Sequence, residues 1–247
     1  MKIWFPLVLS MLSFLPPVLA GEPLKTGWGE IRVPEKPELA ERRELVVEKW
    51  PEDGNLAMPV PFPNIVRAWV DGKEAPEFLR WSFNKDATEN RVMGGGAKGA
   101  GVVQLLTAEK SGTKGDGICV LSALDAKVVG VKAALETHPG NHRIGFWVDG
   151  ADFVAWDLEA PVAAGKYDVE LVYSRAGQAG AEVAVTIGDV VLPVVLETTG
   201  SWYVYQVQPV GEIVLGAAGK LHAEVRSTKL IGPVMNLKAV LLLPKGK

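Results

Sequence analysis

The chain has a single cysteine, Cys119, in 247 residues. No disulfide can form within it, and the place of Cys119 in the apolar run Ile118–Leu121 predicts a buried, unreactive thiol. Neither sign of charge dominates: 26 basic and 29 acidic residues leave a net charge of −3. No basic patch carries interleaved aromatics, so no nucleic-acid partner is expected. Nothing after residue 20 approaches the roughly 20 consecutive apolar residues of a membrane-spanning helix, so no membrane partner is expected either. A Gly-x-Ser-x-Gly elbow is missing, and His138 and His142 flank a Pro-Gly pair rather than a nucleophile. Their i, i+4 spacing would suit a metal only on a helix, which Pro139 and Gly140 exclude.

What the chain does have begins with an export signal. Lys2 is the charged start, Ile3–Val18 a short apolar core broken by Pro6, Pro16 and Pro17, and Val18-Leu19-Ala20 a small-residue cleavage site. Secretion to the periplasm or the extracellular space is expected, with cleavage near Ala20. The remaining chain of about 225 residues suits one large or two ordinary domains and can build a core without disulfides. Residues 21–43, with Pro23, Pro34 and Pro37, are expected to be an extended lead-in, and the charge run Glu35–Glu48 a solvated edge. From Glu44 the texture is that of a small β-domain over residues 44–116. Leu45–Trp50, Asn55–Val60, Ile65–Val70, Phe78–Phe83 and Val102–Leu106 read as strands. Asp71-Gly72 closes a hairpin, and Met93–Gly101 is rich enough in glycine to predict a mobile loop.

A second domain follows over residues 117–247. Trp202–Val210 and Lys220–Arg226 alternate with period two, and Leu237–Leu243 is an apolar run of the kind covered on both faces. Four carboxylates, Asp149, Asp152, Asp157 and Glu159, cluster as a glycosidase pair would. However, Asp157 and Glu159 alternate with Trp156 and Leu158, as solvent-facing positions of a strand do, and Asp149-Gly150 is a turn. No catalytic residue is assigned. Trp156, in step with Val154 and Leu158, is a core residue.

Several ordered motifs in this half carry a resemblance: Ile144-Gly145-Phe146-Trp147, Asp152–Trp156, Ala164–Leu171, Thr199–Trp202 and Met235-Asn236-Leu237. Together they resemble carbohydrate-binding modules of families 6 and 35, which are galactose-binding-like jelly rolls. The resemblance implies a site in which a sugar ring lies against one or two aromatics and an Asn amide bonds its hydroxyls. Carried over, Phe146 matches an aromatic that is usually Tyr, Trp202 the Gly-Trp aromatic, and Asn236 the Asn that opens the last strand. Trp147 neighbours Phe146 and fits either core or site. Trp202 fits a turn-edge platform or the core, and Asn236 a sugar contact or a tie to backbone. Arg226 and Lys229 are solvated or meet an acidic sugar. The family's calcium glutamates are replaced by Ser122-Ala123-Leu124, so no metal and no cofactor are expected.

Trp28-Gly29-Glu30, Glu44–Pro59 and Val66–Trp69 resemble a different family, the β-domain after the catalytic barrel of family-29 α-L-fucosidases. Since no barrel precedes them, the expectation is a secreted, non-catalytic, all-β protein of two β-sandwich domains, the second a jelly roll. Its partners are a glycan or polysaccharide and a separately encoded glycosidase. A fucosidase fragment and a structural or adhesive β-sandwich stand as the alternatives.

Overall fold

The structure is a computed structural model that describes residues 23–32, 42–52, 55–59, 64–79, 89–93, 100–114, 116–138, 140–216 and 219–246. The export signal, the glycine-rich stretch 94–99 and residues 80–83 lie outside these. The fold is all-β. Among the described residues only two 3-10 turns, Pro76–Leu79 and Ala123–Asp125, interrupt the strands.

The first sheet has six antiparallel strands in the order Leu24–Thr26, Gly29–Arg32, Arg42–Val47, Gly101–Thr107, Ile65–Val70 and Lys73–Glu74. Its first two strands come from the expected lead-in, where a hairpin turns at residues 27 and 28. Asp71 and Gly72 form the other hairpin, both with positive φ (48° and 77°), as a two-residue turn of this kind requires. Phe78 and Leu79, expected to start a strand, sit in a 3-10 turn instead. Both are buried, and adjacent residues of a regular strand would point to opposite faces. They pack with Trp28, Leu45, Val103 and Leu105 under this sheet.

Asn55–Pro59 and Glu89–Met93 pair in a separate two-stranded sheet, and the described residues from Gly112 on form a two-sheet sandwich. One sheet has seven strands: Ala134–Glu136, Arg143–Gly145, Asn236–Pro244, Cys119–Ser122 and Gly112–Thr113 in line, with Gly165–Arg175 also on Asn236–Pro244 and Ser201–Leu215 beyond it. Gly112–Thr113, expected to close the first domain, thus belongs to the sandwich. The facing sheet orders Lys127–Val129, Phe153–Val162, Gly219–Lys229, Glu182–Ile187 and Val190–Val195. Between them lie Leu121, Trp147, Trp156, Leu171, Tyr173, Val185 and Leu242. Trp156 is a core residue as expected, its indole N–H donating to the Ser122 carbonyl at 2.7 Å. Cys119 is fully buried, and burial pushes its thiol up to about 12.

The last strand is covered on both faces. Leu237, Val240 and Leu242 face the sandwich core, while Ala239 and Leu241 join Val66, Leu106, Val120 and Val172 in a second apolar layer against the first sheet. Two core-facing residues three apart require an extra residue. The ladder to Gly165–Arg175 slips here, pairing Val172 with Ala239 and Tyr173 with Leu237, so that Lys238 is the bulged residue.

Candidate functional site

Asp152 anchors the first loop of the site. Its buried carboxylate accepts the backbone N–H groups of Val131, Lys132 and Ala133 at 2.9, 2.9 and 2.6 Å. Burial opposes the charge, but these backbone donors hold the carboxyl below its usual range. Only glycine permits the approach at Gly130, since a Cβ there would lie 1.9 Å from Asp152 Oδ1. The Asp152 carbonyl accepts the Trp147 indole N–H at 3.1 Å, and the Trp147 carbonyl accepts the Val234 N–H at 2.7 Å. Trp147 is 1% exposed and packs in the sandwich core, which corrects its inclusion among sugar-contacting residues. Its neighbours face the other way, Phe146 at 66% and Val148 at 48% exposure. Phe146 also has a φ of 51°, a left-handed backbone that costs a side-chain-bearing residue about 1–2 kcal/mol.

Arg175 organises the second side. It is fully buried, and burial lowers its pKa. It has no carboxylate partner among the described residues. Instead its Nε donates to the Val234 carbonyl at 2.9 Å, one terminal nitrogen to the Ile231 carbonyl at 2.7 Å, and the other to the Gln178 carbonyl. Its own carbonyl accepts the Thr199 N–H at 2.9 Å, and its N–H donates to Thr199 Oγ1 at 3.0 Å. The turn at Gly200 (φ 71°) is thereby set, and Trp202 opens the edge strand half-exposed.

Register brings these pieces together. Ile144 pairs with Leu237, Ser174 with Asn236 and Arg175 with Ser201. Gly145, Asn236, Ser174 and Trp202 therefore form a row across the sheet, three strand spacings or roughly 14 Å long. Phe146 stands at one end and Trp202 at the other. Between them Asn236 is 8% exposed, and its amide N–H donates to the Trp202 carbonyl at 3.2 Å, beside the Ser174 hydroxyl at 2.8 Å. A Cβ on Gly145 would meet Glu136 Oε1 at 1.9 Å and Asn236 Oδ1 at 3.0 Å, so both acceptors lie over the Gly145 backbone. Glu136 is held there by Arg143 at 2.7 Å. The sequence reading missed Glu136, Arg143 and Ser174. Glu136 and Arg143 lie in strands of three residues, too short for a period of two to mark them, and Ser174 is one polar position near the end of the strand Gly165–Arg175. Ser122, at the position of a calcium acid in the resembled family, bonds the Ala108 carbonyl at 2.7 Å and caps the 3-10 turn through the Leu124 N–H at 3.1 Å.

No family model matches the chain, and no curated protein does. Among solved structures the chain is similar to a family 35 carbohydrate-binding module from Clostridium thermocellum, at 16% identity, TM-score 0.44, over 51% of this chain and 98% of that one. It is also similar to a β-(1,4)-mannanase from Podospora anserina that carries a family 35 module: 17% identity, TM-score 0.41, over 53% of this chain and 28% of the mannanase. An insecticidal crystal protein is similar at 16% identity and TM-score 0.45, over 60% of this chain and 27% of its own.

Proposed function

We propose that this chain is an exported, non-catalytic carbohydrate-binding protein whose sugar lies along the row between Phe146 and Trp202. The observation that carries this reading is Phe146, an aromatic held 66% exposed on a left-handed backbone. A flat apolar ring suits the C–H face of a pyranose, and the acceptors beside it, Glu136 and Asn236 Oδ1, suit its hydroxyls. The resemblance of residues 44–59 to a post-barrel domain supports a separately encoded glycosidase as a partner, and the mature chain alone is expected not to hydrolyse aryl fucosides.

A glycan array on the mature chain, followed by calorimetric titration of the hits against Phe146→Ala and Trp202→Ala, tests the reading. Each variant is expected to lose at least tenfold in affinity, with Phe146→Ala melting as the wild type does. Binding unchanged in both variants overturns it. Asn236 supports a second reading, a structural sandwich without a sugar site, because its amide already serves the Trp202 backbone. An array without hits favours that one.

A further inference from the structure

Where the outer face of the seven-stranded sheet meets the first sheet, the apolar layer gives way to a buried polar group around Lys238. This side chain is 2% exposed. Its Nζ reaches across the junction to the Ile65 carbonyl at 3.3 Å and lies 4.2 Å from the centre of the Tyr205 ring. No carboxylate among the described residues is within ion-pair distance of it. Arg143 gives one terminal nitrogen to Glu136 at 2.7 Å and the other to the Asn141 carbonyl at 3.3 Å, but its Nε has no partner. His142 Nδ1 has none either, and the Tyr205 hydroxyl and the fully buried Asn141 amide turn to each other, and Tyr205 to Ser174, without a well-formed bond. The groups act on one another: Arg143 and His142 face Lys238, while Arg143, Ser174 and Asn141 stand beside the Tyr205 hydroxyl.

A buried polar atom left without a partner forfeits its full hydration, so a cluster of them points to something polar that they hold in common. The cluster is donor-rich. Arg143 Nε–H, the Tyr205 O–H and the Lys238 ammonium donate; Asn141 presents an NH₂ whichever way its amide is set, and His142 Nδ1 donates in one tautomer. The neighbouring carboxylates are committed elsewhere, Glu136 to Arg143 and Glu109 to the Asn64 N–H at 2.6 Å. Two cations thus stand beside two carboxylates, of which only Glu136 is in contact with its cation, while Glu109 acts on Lys238 from beyond ion-pair distance. What the set lacks is an acceptor in contact with Arg143 Nε and a negative charge in contact with Lys238 Nζ.

We infer that this junction binds a small oxyanion, a phosphate, a sulfate or a carboxylate of acetate size, held by Lys238, Arg143, Tyr205 and Asn141. Lys238, pulled down to about 7 by burial and by Arg143, with Glu109 opposing, is partly neutral at neutral pH. An anion beside it favours the ammonium, so binding takes up a proton.

The test uses the full mature chain, with phosphate, sulfate and acetate each compared with chloride at matched ionic strength. At least one oxyanion is expected to raise the melting temperature saturably, by roughly 5–10 °C at a hundredfold excess over Kd. Its calorimetric heat at pH 8 should vary with the buffer's ionisation enthalpy, as proton uptake requires. Lys238→Met should abolish both effects, Tyr205→Phe should weaken binding tenfold or more, and Phe146→Ala should leave it intact. Failure here is therefore separable from failure of the sugar reading. A rise equal to that in chloride, or equal in Lys238→Met and wild type, overturns the inference, and water alone then fills the junction. If Lys238→Met does not fold, Tyr205→Phe carries the same decision.

Discussion

Phe146 and Trp147 are consecutive in the chain, yet one ring is 66% exposed and the other 1%. Their roles separate accordingly. Trp147→Ala is expected to cost about 3–5 kcal/mol of stability, as for a buried aromatic, and Phe146→Ala less than about 0.5 kcal/mol. Phe146→Gly should raise stability by about 0.5–1 kcal/mol, because glycine accepts the positive φ and part of that gain is spent on its freer unfolded chain. Chemical denaturation of the three variants checks this. A Phe146→Gly protein less stable than Phe146→Ala would mean that the ring itself holds the loop.

Asn236 and Ser174 share one acceptor, the Trp202 carbonyl. Removing either leaves the other bond in place, so each single alanine variant is expected to cost about 1 kcal/mol. The double variant strips the carbonyl of both donors and should cost more than the sum. Additive losses in a double-mutant cycle would show that the carbonyl finds water instead.

Lys238 predicts a pH dependence above neutrality. The unfolded chain protonates this lysine up to its ordinary value of 10.5, the folded chain only below about 7. Between those values unfolding takes up a proton, so this residue's penalty shrinks as pH rises from about 7 to 10.5 and is constant below about 7. Lys238→Met removes the penalty. The variant should be more stable than wild type in oxyanion-free chloride buffer by an amount on the order of a few kcal/mol at pH 7, and the gap should close toward pH 10.5. Denaturation curves of both proteins at several pH values measure it, and a gap that does not change with pH refutes the assignment.

Asp152 acts at the other end of the scale. Its carboxyl is held below the ordinary 3.8, so its contribution is fully present above that value and is lost as pH falls through the lower, folded value. Asp152→Ala, which strands three backbone N–H groups, should cost about 3 kcal/mol near pH 7 and progressively less in acid. Equal cost at pH 7 and pH 2 would contradict the charge-based account.

Much of the sandwich is legible in the sequence because its strands obey period two. Trp156 was assignable to the core from Val154 and Leu158, and the three C-terminal strands needed only their ends extended, to Ser201–Leu215, Gly219–Lys229 and Asn236–Pro244. What escapes such reading is what breaks the period. The bulge at Lys238 hides inside an apolar run, where one charge looks like an exception rather than a change of face. Phe78 and Leu79 look like a strand start, but the 3-10 turn lets both face inward. Motif positions pointed to Phe146, which is exposed, and to Trp202 and Asn236, which share one row of the sheet. They did not reveal that Trp147 is drawn inward by the Asp152 carbonyl, a bond that depends on a loop closing five residues later.

Arg175 grips its surroundings only through main-chain oxygens, those of Gln178, Ile231 and Val234. Every amino acid supplies such an oxygen. The segments it fastens, more than fifty residues from it at Ile231 and Val234, can therefore exchange their side chains without losing their place. This part of the sandwich can vary in sequence while its shape stays put, whereas a substitution at Arg175 itself would release several segments at once.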